Sequence, residues 1–285
     1  MSGCVWQWRL LRAGSFRLDG GTMFGIIPRV LWQKLMPPDD LNRITLQTNC
    51  LLLDDGRRTV LIETGYGNKF DAKNRDIFAL EDRWIGRALE DAGVDRCEID
   101  AVVVTHLHFD HAGGLTFVDA PGATPRPTFP NARVYVQKTE WEDALANKST
   151  MTRTYLRDNL DSIADRVVLL EGECEALPGI RTMLTPGHTW GQQGVLFQDR
   201  EGVVVFPGDV MPTASHVGSL YNMAYDVLPY ENILTKRRLL KRCAAEGWRL
   251  AIDHEAGCAV RRVRVHPDRG DQFDLIEAQA PAGNT

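Results

Sequence analysis

Short apolar runs alternate along the chain with segments in which apolar residues recur every three or four positions. Runs of β-branched residues bounded by Gly, Pro or Asp are typical of strands, and the second spacing is typical of amphipathic helices. The predicted strands are 46–53, 59–63, 101–105, 133–136, 167–170, 180–184, 194–197, 203–206 and 249–252. The predicted helices are 81–92, 138–146, 152–163 and 230–246. This alternation predicts an α/β fold.

The connections favour one continuous domain. Asp54, Asp55 and Gly56 predict a hairpin turn between the first two strands, and Gly93 and Gly247 are plausible helix ends. No internal repeat or long Pro/Gly/Ser linker divides the sequence. We therefore expect a single domain over residues 1–285, with its core motifs at about 45–255. The apolar segment 23–37 is poorly periodic and is interpreted as ordinary core, as a flap over a pocket or as a subunit contact.

Composition and charge narrow the class of protein. The formal net charge of −5 does not favour nucleic acid as a partner, and the local basic clusters at 236–242 and 261–264 are interpreted as solvated faces. The six cysteines form no C-x-x-C pair, which indicates a reducing compartment. Arg9, Arg12 and Arg17 interrupt the first apolar run, so no signal peptide is predicted. We expect a cytoplasmic enzyme with no membrane span.

A cluster of potential metal ligands follows the apolar run 102–105. His106, His108, Asp110 and His111 leave this strand together and are followed by two glycines. Two histidines separated by one residue point to the same side of an extended chain, and a tight turn can return two further ligands toward them. We expect the glycines to let the chain pass close to the cluster.

Three further candidates follow other predicted strands. His188 comes after 180–184, Asp209 after 203–206 and His254 after 249–252. Sites in α/β proteins are usually assembled at the carboxyl ends of strands. The sequence therefore predicts that these residues meet the first cluster.

This ordered set resembles the metallo-β-lactamase superfamily. The resemblance rests on His-x-His-x-Asp-His at 106–111, Thr-Pro-Gly-His-Thr at 185–189, Gly-Asp at 208–209 and His254, and it includes Leu-Ile-Glu-Thr-Gly at 61–65. It implies a four-layer αββα sandwich with the metals at one edge, where the two sheets meet.

The resemblance also implies a role for each ligand. It makes His106, His108 and His188 ligands of a first metal. It makes Asp110, His111 and His254 ligands of a second, with Asp209 bridging both. Histidine and carboxylate ligands suit two Zn²⁺ ions per chain, with iron or manganese as alternatives.

One position departs from the family pattern. Relatives usually have Asp where this chain has Glu63, as a partner that orients a ligand histidine. Asp253 and Glu255 are alternatives for that role.

The implied chemistry is hydrolysis by a hydroxide that bridges the two metals. Asp110 is the predicted catalytic residue, which orients the nucleophile and passes its proton to the leaving group. A lactone or ester is the first expectation. Phosphotriesters, phosphodiesters and thioesters are alternatives, and an iron-dependent sulfur dioxygenase or a non-catalytic metal-binding module represents a different class. The histidine at 108 favours hydrolysis, because the family's di-iron oxygen-reducing branch tends to carry Glu there.

The partner is expected to be a small molecule with an apolar acyl or aryl part, since 23–37 is apolar and no basic cluster adjoins the motifs. Acyl homoserine lactonases typically have Tyr three residues beyond the bridging Asp, where this chain has Pro212. Candidate substrate-binding residues are Phe24, His216, Tyr221 and Tyr225. A homodimer is an open possibility.

Overall fold

The strands and helices are taken from a computed structural model, which describes residues 4–151 and 154–278. The strands in these residues are β1 (Gln7–Asp19), β2 (Arg43–Asp54), β3 (Thr59–Ile62), β4 (Ala101–Val103), β5 (Thr116–Phe117), β6 (Arg126–Pro127), β7 (Arg133–Gln137), β8 (Val167–Leu170), β9 (Glu175–Leu177), β10 (Ile180–Leu184), β11 (Gln193–Asp199), β12 (Gly202–Phe206), β13 (Arg249–Ala251), β14 (Val260–His266) and β15 (Arg269–Glu277). The α-helices are α1 (Gly20–Phe24), α2 (Arg29–Trp32), α3 (Ala72–Ile77), α4 (Ile85–Asp91), α5 (Phe109–Ala112), α6 (Lys138–Leu145) and α7 (Pro229–Glu246).

Two mixed sheets contain most of the strands. The first has the order β1-β2-β3-β4-β7-β8, and the second has the order β15-β14-β13-β12-β11-β10-β9. The parallel pairs β3–β4, β4–β7 and β7–β8 lie in the first sheet, and β12–β13 is parallel in the second. A separate two-stranded sheet is formed by β5 and β6.

The layers follow from which faces are apolar. Leu51 and Val103 of the first sheet pack with Phe197 and Val204 of the second in a core between the sheets. The outer face of the first sheet packs against α4 and α6, and the outer face of the second packs against α7. Each sheet is therefore covered by helices on its outer face. The predicted four-layer αββα sandwich is confirmed.

The predicted strands all occur, with small shifts of their ends. The strands 167–170 and 180–184 have the predicted bounds, and the predicted turn at 54–56 joins β2 to β3. The prediction 81–92 was too long, because the helix begins only at Ile85. The prediction of a helix over 152–163 is wrong for the described residues from 154 onward, which form the 3₁₀ turns Arg157–Asn159 and Asp161–Arg166. The short polar side chains in this stretch compete with the helix for backbone hydrogen bonds.

Six strands of the described residues were not predicted, namely β1, β14 and β15 and the short strands β5, β6 and β9. Strand β1 pairs with β2 along its length, with a shift of register between Arg12 and Ser15. Such an irregularity interrupts the alternation that marks a strand in a sequence. Strands β14 and β15 form a hairpin at the edge of the second sheet, where Arg264 pairs with Asp274 at 3.0 Å. Charged side chains are usual on an exposed edge, and they conceal the apolar pattern.

The segment 23–37 combines two environments. Met23, Phe24 and Trp32 are buried, whereas Ile26 and Val30 are 82% and 63% exposed. The segment is thus core on one side and exposed apolar surface on the other. None of the helices in the described residues is long and apolar enough to cross a lipid bilayer.

Candidate metal centre

The predicted ligands lie where the two sheets meet, just beyond the ends of four strands. His106, His108, Asp110 and His111 follow β4 of the first sheet. His188, Asp209 and His254 follow β10, β12 and β13 of the second sheet. The structure thus brings all seven predicted ligands to one edge.

Three buried histidines form the first group. The Nε2 atom of His106 lies 3.1 Å from Nδ1 of His108, and Nε2 of His188 lies 2.9 Å from the same atom. The three candidate ligand atoms lie within 4.8 Å of one another. Ring nitrogens that face each other so closely suit a shared cation, because each neutral imidazole offers one lone pair.

The second group combines histidine nitrogens with carboxylate oxygens. The Nε2 atoms of His111 and His254 are 3.2 Å apart. Oδ1 of Asp209 lies 3.6 Å from the first of these atoms and 3.2 Å from the second. Oδ2 of Asp110 lies 3.6 Å from Nε2 of His254. These atoms face a common point beside the three-histidine group.

Asp209 lies between the two groups. Its Oδ1 faces the second group, while its Oδ2 lies 3.4 Å from Nε2 of His188 in the first. Burial alone would raise the pKa of this carboxyl, but His254, His111 and His188 hold its pKa well below the usual range. Asp209 is therefore ionised and has one oxygen available to each group.

Further side chains hold the ring nitrogens that face away from the centre. Nδ1 of His188 is hydrogen-bonded to Oδ1 of Asp226 at 3.0 Å, and Nδ1 of His254 to the carbonyl of Gln47 at 2.8 Å. Oδ2 of Asp253 lies 2.9 Å from Nδ1 of His111. Such partners fix the ring orientation and the tautomer of metal-ligating histidines.

Glu63 also faces His111, at 3.5 Å from Oε2 to Nδ1. Its other carboxylate oxygen accepts the backbone N–H of Thr105 at 2.6 Å. Asp253 is thus closer to His111 than Glu63 is. Glu255 accepts the backbone N–H groups of Ala214 and Gly257 instead and does not hold a ligand histidine in this way.

The glycines after the motif have a different neighbour from the one expected. A Cβ atom on Gly113 would lie 2.3 Å from the backbone of Tyr66, and one on Gly114 would lie 2.2 Å from the carbonyl of Thr64. The close approach is therefore to the segment after β3 rather than to the ligand cluster.

The donor set fits divalent metal ions. Burial, together with the neighbouring histidines, holds the pKa of His106 and of His108 well below the usual value, so both rings are neutral and able to ligate. Among the described residues, no hydrogen bond of ordinary geometry reaches the buried Oδ1 of Asp209. An unsatisfied buried carboxylate oxygen is costly, and a cation at this point would satisfy it.

A cavity of about 440 Å³ opens onto the two groups. Asp110, His108, His188, Asp209 and His254 line its polar floor. The remaining lining residues are mostly apolar and comprise Leu18, Met23, Phe78, Phe109, Thr150, Met151, Thr154, Met223 and Tyr225. A largely apolar cavity with a few convergent polar groups is typical of a small-molecule site.

The four candidate substrate residues lie in different places. Tyr225 lines the cavity, but its hydroxyl is 2.6 Å from that of Thr22, which itself donates to the carbonyl of Asp19. Thr22 therefore accepts from Tyr225, which leaves the Tyr225 ring as the part that faces the cavity.

Phe24, His216 and Tyr221 are not among the residues that line the cavity. The ring of Phe24 stacks on His216 with 4.6 Å between the centroids, and Tyr221 packs edge-on against Phe24. His216 is hydrogen-bonded to the carbonyl of Met23 at 2.9 Å. These three residues pack behind the cavity wall and support Met23, which does line it.

Asp226 was not singled out in the sequence, because a lone aspartate in a loop has no distinguishing pattern. Its Oδ2 accepts hydrogen bonds from the side chain of Asn232 and the backbone of Met223. The buried Lys236 of α7 holds the same loop by donating to the carbonyl of Tyr221 at 2.8 Å. The loop that holds His188 is therefore anchored on α7.

Because Lys236 is buried, we expect the free energy of unfolding to depend on pH. Burial lowers the pKa of this amine to about 7. An unfolded lysine keeps its proton until about pH 10.4. Between these values the unfolded chain binds more protons, so the free energy of unfolding rises with pH. Relative to Lys236→Met, the wild type is expected to gain about 1 to 3 kcal/mol between pH 6 and pH 9.

Urea unfolding of both proteins in the same metal state, at several pH values, measures this difference. Lys241→Met removes an exposed lysine of the same helix and is the matched control. If the difference in free energy of unfolding between the wild type and Lys236→Met stays constant from pH 6 to pH 9, the lowered pKa assigned to Lys236 is contradicted.

The chain is similar to proteins of a known superfamily. A model of the metallo-beta-lactamase superfamily matches residues 43–254. An N-acyl homoserine lactonase of Bacillus thuringiensis is 28% identical over 184 residues, which is 60% of this chain and 66% of that protein. An N-acyl homoserine lactonase of Bacillus cereus is 27% identical over 186 residues, 60% of this chain and 67% of the relative. The matched region thus spans about two thirds of each relative.

Solved structures resemble the whole described fold. A probable metal-dependent hydrolase from Staphylococcus aureus has a TM-score of 0.85 and 28% identity, and the match covers 96% of this chain and 98% of that one. A dizinc quorum-quenching lactonase in complex with a product has a TM-score of 0.76 and 18% identity, with 96% and 95% covered. The second likeness concerns the fold alone.

Proposed function

The chain belongs to the metallo-beta-lactamase superfamily of metal-dependent hydrolases, and from this premise we propose that it binds two zinc ions and hydrolyses the ester bond of acyl lactones. The observation that carries this proposal is the position of Asp209, which has one carboxylate oxygen facing each group of histidines. Two adjoining metal positions are the arrangement that dinuclear hydrolysis uses, and a carboxylate with one oxygen toward each position suits it.

Each group in the centre has a part in this reaction. His106, His108 and His188 would hold one ion, and His111, His254 and Asp110 would hold the other. Bound zinc supplies a lowered pKa for an attacking water and polarises the carbonyl under attack. His188, His111 and His254 contribute by keeping a fixed orientation, because Asp226, Asp253 and the carbonyl of Gln47 hold their outer nitrogens.

Asp110 is the residue that moves the proton in this proposal. Its carboxylate lines the floor of the cavity and is 7% exposed. In that position it can accept a proton as water attacks the carbonyl carbon. It can then return the proton to the ring oxygen as the carbon–oxygen bond breaks. Water is consumed, and the product is a hydroxy acid.

The cavity wall favours an acyl group over a charged one. Leu18, Met23, Phe78 and Met223 supply apolar surface, and the Tyr225 ring adds to it. Among residues 4–151 and 154–278, no lysine or arginine lines the cavity. A hydrocarbon chain would be desolvated against this wall.

A substrate panel on zinc-loaded protein tests the proposal. Acyl homoserine lactones are expected to give the highest kcat/KM, ahead of simple γ- and δ-lactones, aryl esters, a phosphotriester, a phosphodiester and a glutathione thioester. Because each buried methylene contributes about 0.8 kcal/mol, kcat/KM should rise about fourfold per added methylene from a butanoyl to a hexanoyl chain.

Chelator-treated protein, with and without restored zinc, is the control for the metal requirement. Activity should disappear on chelation and return with two equivalents of zinc. A higher kcat/KM for the phosphotriester than for every lactone would contradict the assigned substrate. Full activity after complete metal removal would contradict the mechanism.

A further inference from the structure

The buried glutamate on the first turn of α6 has contacts that the proposed reaction does not use. Glu140 is fully buried, and no ion pair among the described residues includes it. Burying a carboxylate without a cation is expensive unless hydrogen bonds satisfy its oxygens. This side chain therefore requires a structural or functional reason.

The partners of Glu140 all adjoin the three-histidine group. One oxygen, Oε1, accepts the backbone N–H of Leu107 at 2.9 Å, and this residue lies between His106 and His108 in the chain. The other oxygen, Oε2, accepts the hydroxyl of Thr189 at 2.6 Å, directly after His188. A single carboxylate thus joins two loops that come from different sheets.

A third hydrogen bond to Glu140 comes from a residue whose ring packs against His108. The hydroxyl of Tyr155 donates to Oε1 of Glu140 at 3.0 Å. The ring of Tyr155 lies 4.9 Å from that of His108. Glu140 therefore also fixes the aromatic ring that packs against one of the three histidines.

The backbone at the start of α6 also lies close to the loop that carries His188. A Cβ atom at Gly191 would lie 2.3 Å from the backbone nitrogen of Glu140. The start of the helix and this loop are therefore in direct backbone contact, so a shift of Glu140 moves the loop.

We infer that Glu140 is a positioning residue, which sets the distance between the His106–His108 loop and His188 and thereby the affinity of one of the two metal ions. The inference rests on the proposed metal centre and adds a determinant of one of its two metal positions. Glu140 does not touch the metal, the substrate or the reacting atoms. It acts through Leu107, Thr189 and Tyr155.

The hydrogen-bond pattern determines which substitutions should be tolerated. In Glu140→Gln, the amide oxygen can accept from Leu107 and Tyr155 while the amide nitrogen donates to Thr189, because a hydroxyl both donates and accepts. In Glu140→Leu, the volume is similar, but the buried N–H of Leu107 loses its acceptor. Comparing these two variants separates the effect of losing the hydrogen-bond acceptor from the effect of a change in side-chain volume.

The experiment is a zinc titration of the metal-free protein against a chromophoric chelator. Glu140→Leu is expected to weaken one of the two zinc sites by about 10- to 100-fold and to leave the other within about threefold. Glu140→Gln should keep both sites within about threefold. The visible spectrum of the cobalt-loaded protein should change in the leucine variant and not in the glutamine variant.

Three results would overturn the inference. They are unchanged affinity at both sites in Glu140→Leu, an equal loss at both sites, and a loss in Glu140→Gln as large as that in Glu140→Leu. Thr189→Val and Thr189→Ser repeat the comparison if the leucine variant does not fold. The valine variant should weaken one site several-fold and the serine variant should not, and equal affinities would overturn the inference.

The titration uses no substrate, so its outcome is separate from that of the proposed function. If wild-type protein binds two zinc ions and hydrolyses no lactone, the substrate assignment fails and the role of Glu140 is still decided. If lactones are hydrolysed and Glu140→Leu titrates like the wild type, the inference alone fails.

Discussion

Asp209→Ala is expected to lower kcat/KM by at least about a thousandfold and to reduce bound zinc below two ions per chain. This expected loss of kcat/KM follows from the several kcal/mol by which metal ions stabilise the transition state. About 4 kcal/mol corresponds to a thousandfold change in rate. The substitution removes one carboxylate oxygen from each group, where these oxygens lie 3.2 to 3.6 Å from ring nitrogens of His111, His188 and His254. Metal analysis together with kcat/KM measures both effects.

Two variants control this experiment. Asp209→Asn keeps the shape of the side chain and removes its charge, so it should also lose metal, because a neutral amide is a weaker ligand. Asp161→Ala removes an exposed carboxylate that pairs with Arg157 and should leave activity and zinc content unchanged. Full activity in Asp209→Ala with two zinc ions retained would refute the site.

Asp110→Asn is expected to reduce kcat by about 100- to 10,000-fold, because the amide cannot hold the proton that the reaction moves. Its carboxylate oxygens lie 3.6 Å from Nε2 of His254 and 3.9 Å from Nε2 of His111. The candidate ligand atoms of His111, Asp209, Asp253 and His254 all lie within 4.8 Å of one another, and Asp110 is not part of this closely spaced set. The loss of kcat should therefore exceed the loss of metal affinity.

Zinc titration of the same variant separates proton transfer from metal binding. If zinc affinity falls while kcat at saturating zinc is unchanged, Asp110 is a metal ligand only and not the proton carrier. Asp158→Asn, at an exposed position, is the matched control for the chemistry of the substitution.

The sequence predicted which candidate ligands come together better than it predicted the lining of the cavity. Four candidate ligands lie within six residues, and the other three each follow a strongly apolar strand, so local pattern and the position of strand ends were sufficient. The order of the blocks indicated the superfamily, which the match over residues 43–254 confirms. The alternation of strands and helices predicted the α/β class, and the resemblance to the superfamily implied the sandwich.

The supporting residues could not be predicted, because their roles depend on contacts between distant parts of the chain. Asp226 lies 38 positions from His188, and Glu140 is separated from Leu107 and Thr189 by 33 and 49 positions. Neither residue belongs to a motif in the sequence. Only the packing of α6 and of the loop before α7 brings them to the ligands.

The cavity wall was difficult to predict for a similar reason. Phe24 and His216 were candidates because they lie in apolar or nearby segments, but they stack on each other behind Met23. Which face of a short irregular helix points inward is decided by its neighbours rather than by its own periodicity. Leu18 and Phe78 reach the wall from β1 and the end of α3, which no local pattern indicated.

The division of the ligands between the two sheets has a thermodynamic consequence. His106, His108, Asp110 and His111 belong to the first sheet, and His188, Asp209 and His254 belong to the second. Neither sheet alone supplies a complete site, so ions held by this set would link the two sheets and would bind only to the folded protein. Each tenfold excess of free metal over its dissociation constant would then add about 1.4 kcal/mol to the free energy of unfolding. The concentration of free metal would thus set the free energy of unfolding as well as the fraction of active enzyme.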